Sequence, residues 1–111
     1  MSENNDPPQA PATAPPAENA APLLFHRSVT ISNQLGLHAR AAARFVKLAA
    51  RYQADITIRH KGQGTSGISI MGLMMLAAGP GCVITLTARG PDAGPALEAL
   101  CQLVESRFEE Q

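Results

Sequence analysis

From residue 24 onward the spacing of apolar positions changes several times, and each change marks an element. Leu24 to Ile31 (LFHRSVTI) alternates after Phe25, with Val29 and Ile31 out of phase with Ser28 and Thr30, which predicts a half-buried strand. The period then lengthens. Ala42, Phe45, Val46 and Ala49 fall at helical spacing in an alanine-rich run free of Gly and Pro, predicting a helix from about Ala39 to Tyr52. Alternation returns over Ala54 to His60, with Ile56 and Ile58 on one face. Lys61-Gly62-Gln63-Gly64 reads as a hairpin turn into a short third strand near Thr65 to Ile68. Ile70 to Leu76 forms a short helical segment after Ser69, closed by Gly79-Pro80-Gly81. Cys82 to Arg89 (CVITLTAR) is a fourth strand, with Val83 opposed to Ile84 and Leu86. Pro91-Asp92 opens the last helix, Asp92 being its candidate cap. Its buried stripe is Ala93, Ala96, Leu97, Leu100, Cys101, Val104 and Phe108.

The order strand, helix, two strands, helix, strand, helix predicts an α+β fold: an open-faced two-layer sandwich, a four-stranded antiparallel sheet with three helices on one face (βαββαβα). Residues 1–22 hold six of the nine prolines and no Val, Ile, Leu or aromatic residue. They cannot bury enough apolar surface to offset the entropy of ordering, so they read as a disordered tail, leaving residues 23–111 as a single domain. The tail has no secretory pattern, and no stretch is apolar and long enough to span a membrane, so a cytoplasmic monomer is expected.

The formal net charge of zero conceals an asymmetry. The tail carries only acids (Glu3, Asp6, Glu18), whereas the domain sets nine Arg and Lys against six acids. Four of these cations, Arg40, Arg44, Lys47 and Arg51, form one stripe along the first helix, which suits an acidic protein partner. The domain has only four aromatic residues and no basic–aromatic interleaving, so nucleic acid is not an expected partner. Cys82 and Cys101 make no CxxC and lack metal-ligand spacing; both read as ordinary reduced residues.

The candidate chemistry lies in Gly36-Leu37-His38-Ala39-Arg40. A histidine there falls at or beside a helix N-cap, where unpaired N–H groups carry roughly half a positive charge. With Arg40 able to grip oxygens bidentately, this pairs a nucleophilic nitrogen with an anion cradle, the two requirements of a phosphohistidine. A histidine that merely caps a helix is the bland alternative. Ser69 is a favoured N-cap residue whether or not it is ever modified. The segment containing Met71, Met74 and Met75 is too short to bury all its apolar side chains, so some of them must face outward.

Two motifs together, Gly36-Leu37-His38-Ala39-Arg40 and Ser69-Ile70-Met71-Gly72, resemble the active-site and regulatory-serine motifs of HPr, the histidine-containing phosphocarrier of the bacterial phosphoenolpyruvate-dependent phosphotransferase system. The resemblance covers about residues 24–109. It implies that His38 is phosphorylated through Nδ1 by enzyme I, that Arg40 meets the phosphoryl group, and that IIA-type proteins accept it. Ser69 would be the target of an HPr kinase/phosphorylase where one exists. Ile70, Met71 and Met74 would dock on partners beside Arg44 and Lys47, with Leu73 and Leu76 turned to the core. No cofactor is implied, and the protein would be a carrier rather than an enzyme. Ala41 stands where family members commonly have Pro, a version of the motif that also resembles nitrogen-type regulatory carriers. The residues alone leave two other readings open. One is a small ligand-sensing module in which His38 is a structural cap, and the other is a phosphatase-like hydrolase. The sequence shows no second acid or base near His38, which disfavours turnover.

Overall fold

The computed structural model describes residues 24–110; the tail predicted over residues 1–22 lies outside them. The elements follow in the order β1 (Leu24–Thr30), α1 (Ala39–Ala49), β2 (Asp55–His60), β3 (Gln63–Ser66), α2 (Ile70–Met75), β4 (Val83–Arg89) and α3 (Ala93–Glu105), followed by a single turn at Arg107–Glu109. The strands make one antiparallel sheet in the order β1-β4-β2-β3. This is the predicted α+β architecture.

Register explains the core. Val29 pairs with Ile84 and Ile58 with Leu86, so alternate positions of three strands meet on one face. Phe45 and Ala42 of α1 and Leu97, Leu100 and Val104 of α3 cover that face and are buried. Each such large apolar side chain contributes about 1.5–3 kcal/mol of burial. The opposite face carries hydroxyls, among them Ser28 and Thr85, 3.2 Å apart across adjacent strands. Among the described residues no helix is long and apolar enough to cross a membrane.

Several boundaries differ from the sequence reading. Helix α1 stops at Ala49, because Arg51 and Tyr52 bond back to Leu48 and Ala49, tightening the last turn so that the chain can reverse. Its buried positions include Ala41, while Val46 is only half-buried, so the stripe is rotated toward the helix start. The β2–β3 hairpin needs only Lys61 and Gly62, with φ of 51° and 82°. Two left-handed residues form the turn whose twist suits paired strands, so Gln63 and Gly64 belong to β3 and Ile68 does not. Ala77, at φ 54°, rather than Gly79 ends α2. Asp92 makes no side-chain cap; its carboxylate accepts the Gln53 N–H at 2.7 Å, tying the approach to β2 to the start of α3. Phe108 is buried, but it lies beyond the end of α3.

Gly36 is the fold's fixed point beneath the candidate site. Its φ is +62°, and a Cβ there would lie 2.3 Å from the Ala78 carbonyl oxygen. The next residue, Leu37, donates its N–H to that same oxygen at 3.0 Å. Gly36→Ala is therefore expected to remove about 2 kcal/mol or more of stability, lowering Tm by roughly 10 °C. Thermal unfolding checks this, and an unchanged Tm would show that the loop tolerates the side chain.

Candidate functional site

His38 is the N-cap of α1, and its backbone lies in the extended region (φ −79°, ψ 179°). The cap is made by the ring: the Arg40 backbone N–H donates to Nδ1 at 3.2 Å. The other ring nitrogen, Nε2, lies 2.6 Å from a carboxylate oxygen of Glu110. A carboxylate only accepts and an amide N–H only donates. A neutral imidazole satisfies both partners in one way alone, with the proton on Nε2 and the lone pair on Nδ1. The lone pair therefore faces the N-terminal end of α1, where backbone N–H groups concentrate positive potential.

Glu110 is the residue that sequence reasoning missed, and it corrects the expectation that no acid stands near His38. The two residues are 72 positions apart, and nothing in the spacing of either signals the contact. A second oxygen of Glu110 accepts from the side-chain amide of buried Asn33 at 3.2 Å, while the same amide reaches the Gly36 carbonyl at 2.9 Å. Asn33 thus fastens the loop that delivers His38 to the segment that delivers Glu110. Burial pushes the Glu110 carboxyl up, but the hydrogen bonds from His38 and Asn33, with the positive charge of Arg44, outweigh it and hold the group below its ordinary value.

The turn after α3 carries Glu110 into place. Arg107, Phe108 and Glu109 all have left-handed φ, a conformation that costs an L-residue about 1–2 kcal/mol. Burial of the Phe108 ring, a hydrogen bond from the Arg44 guanidinium to the Phe108 carbonyl, and the Ser106 hydroxyl accepting the Glu109 N–H at 3.2 Å offset that cost. An open cavity of about 640 Å³ lies over the site, lined by His38, Ala39, Arg40, Asn33, Arg107 and Glu110 among others.

The cationic stripe is divided by the structure. Arg40 joins His38 in the cavity, Arg44 is committed in part to Phe108, and Lys47 and Arg51 line a neighbouring groove with Leu48, Leu103 and Glu109. Ser69 caps α2, its hydroxyl accepting the Gly72 N–H at 3.0 Å. Leu73 and Leu76 are buried, whereas Ile70, Met71 and Met74 are exposed. The exposed apolar surface extends beyond those three: Met75 is 74% exposed, Ile68 64% and Leu35, in the His38 loop, 68%.

A family model described as "PTS HPr component phosphorylation site" matches residues 25–106. The chain is 49% identical over 86 residues to the phosphocarrier protein NPr of Shewanella violacea, covering 78% of this chain and 94% of that protein. It is 44% identical over 87 residues to the phosphocarrier protein HPr of Cupriavidus necator, covering 78% and 98%. Among solved structures, HPr from Bacillus anthracis superposes with a TM-score of 0.71 at 47% identity, over 73% of this chain and 96% of that one. HPr from Thermoanaerobacter tengcongensis gives 0.75 at 38%, over 78% and 98%.

Two outcomes test the His38–Glu110 pair. Nitrogen NMR shifts should show neutral His38 as the Nε2–H tautomer, and Glu110→Ala should move it toward a mixture; an unchanged tautomer would remove the role assigned to Glu110. Because the Glu110 carboxyl is lowered from 4.5, the stability it adds is present above that pH and is lost as pH falls through its lower folded value. The difference in urea midpoint between wild type and Glu110→Ala should accordingly be steady near neutrality and shrink in acid.

Proposed function

This chain belongs to the HPr family of phosphocarriers of the bacterial phosphotransferase system, and we propose that it takes its phosphoryl group on Nδ1 of His38. The donor is phosphorylated enzyme I, and the acceptors are IIA-type proteins in sugar uptake or in a regulatory relay. The observation that supports this reading is the fixed tautomer. With the Nε2 proton held by Glu110, Nδ1 offers its lone pair without first losing a proton.

In the transfer a P–N bond forms at Nδ1 as the donor's bond to phosphorus breaks, and the electrons of that bond stay with the donor. The Arg40 N–H, released from Nδ1, is then free to face a phosphoryl oxygen. The helix N-terminus and the Arg40 guanidinium neutralise the charge that arrives. Positioning and charge neutralisation do most of the work in such transfers, and the open cavity lets two different proteins approach in line. Passing the group on reverses the steps: Nδ1 leaves with its lone pair, and Nε2 has kept its proton throughout. Glu110 is occupied by the ring and by Asn33, so it holds the tautomer and is not placed to activate a water.

Ile70, Met71 and Met74 supply the apolar part of the docking face, with Lys47 and the exposed part of Arg44 beside α1 offering charge to acidic partners. Ser69 adjoins that face. A phosphate on its hydroxyl would set negative charge against Ile70 and Met71, weakening the approach of an acidic partner.

Labelled phosphoenolpyruvate with enzyme I should place one acid-labile, alkali-stable phosphate on each wild-type chain and none on His38→Ala. Arg40→Ala should slow the transfer by about 10- to 100-fold. Absence of label from wild type, or equal labelling of His38→Ala, would overturn the assignment. Ser69→Asp should lower the transfer rate from enzyme I at least about tenfold, and an unchanged rate would remove the regulatory reading of Ser69.

A further inference from the structure

We infer that Arg107 is a second guanidinium for the phosphoryl group on His38, carried to it by the left-handed turn after α3. The inference rests on the carrier reading above and adds a residue to its site. Three consecutive non-glycine residues, Arg107, Phe108 and Glu109, have φ of 60°, 56° and 65°. Such a run persists only where the surroundings over-determine it. Here the buried Phe108 ring, the Arg44 bond to its carbonyl, the Ser106 cap and the Glu110 N–H on the Arg107 carbonyl at 3.0 Å do so.

What the turn achieves follows from its pitch. Backbone turns closed by bonds three residues apart bring positions i and i+3 to the same side. Arg107 and Glu110 both line the His38 cavity, while Phe108 enters the core and Glu109 lines the neighbouring groove with Arg44 and Lys47. One short segment thus brings both a carboxylate and an arginine to one cavity.

The electrostatics give the guanidinium its use. Glu110 lies 2.6 Å from Nε2, so a phosphoryl group arriving on Nδ1 of the same ring meets a nearby negative charge. Arg40 must already neutralise the phosphoryl oxygens. A second planar fork in the cavity offsets the carboxylate and gives the oxygens further charge-assisted donors. Among the described residues the ion pairs are Arg27–Glu98 and His38–Glu110, and Arg107 enters neither. In the transfer itself the P–N bond forms at Nδ1 as the donor's breaks, and Arg107 neither gives nor takes a proton.

The test is the phosphotransfer equilibrium between enzyme I and the full chain, measured with labelled phosphoenolpyruvate for wild type, Arg107→Gln, Arg107→Asn and Arg107→Lys. Arg107→Gln should move the equilibrium about tenfold toward the donor, with Arg107→Lys recovering part of the loss. Arg107→Asn separates charge from backbone, since Asn accepts left-handed φ readily and keeps the turn. It should match Arg107→Gln in the equilibrium without a lower Tm. A wild-type equilibrium in Arg107→Asn, with label on wild-type His38, overturns the inference and leaves the carrier reading standing. No label on wild type is the separate failure of the carrier reading, and the inference falls with it.

Discussion

The hydrogen bond between His38 and Glu110 is the constraint on which the site depends. A carboxylate can only accept, so it decides where the imidazole keeps its proton, and that decision leaves Nδ1 bare beneath the first turn of α1. The rest of the molecule makes this contact geometrically unavoidable. Gly36 turns the chain where a side chain would strike the Ala78 carbonyl, Leu37 anchors to the same carbonyl, and Asn33 bridges both halves of the site. Helix α3 lies across the sheet so that its trailing turn arrives beside α1. No local preference would bring residue 110 to residue 38; the sheet does it.

What could be read in the sequence is what short-range chemistry dictates. The His38 cap, the Ser69 cap and the alternation of Ile56, Ile58, Ile84 and Leu86 each arise within a few residues, and each is present in the fold. The element order and the two-layer architecture followed from them. The features that escaped depend on a partner far along the chain. Asp92 looks like a helix cap until the Gln53 N–H appears beside it, and Arg44 looks like a surface charge until it finds the Phe108 carbonyl. Ala77 and the run from Arg107 to Glu109 adopt left-handed φ without glycine, which only tertiary packing can impose. Glu110 carries no local signature at all.

The division of the cationic stripe shows how a regular sequence pattern can serve unlike ends. Arg40, Arg44, Lys47 and Arg51 recur at helical spacing, yet one lines the His38 cavity, one braces the Phe108 backbone at the edge of a groove, and two line that groove with Leu48 and Leu103. Spacing places residues on a helix face, but the neighbours of that face assign the work. The apolar surface around α2 obeys the same rule. Leu73 and Leu76 are drawn under by β3 and the core, and the remaining apolar side chains of that segment have nowhere to go but outward.

The strand order has a consequence for how the molecule comes into being. β1 completes the sheet by pairing with β4, and the His38 ring finds its carboxylate 72 residues downstream. Contacts so distant in sequence form late, because the loop between them must close before any energy is returned. A chain emerging from the ribosome can coil α1 and expose His38 early, but it cannot yet fix the ring's proton or complete the surface that a partner would recognise. The order of synthesis leaves the tautomer of His38 unset until the last helix has settled on the sheet.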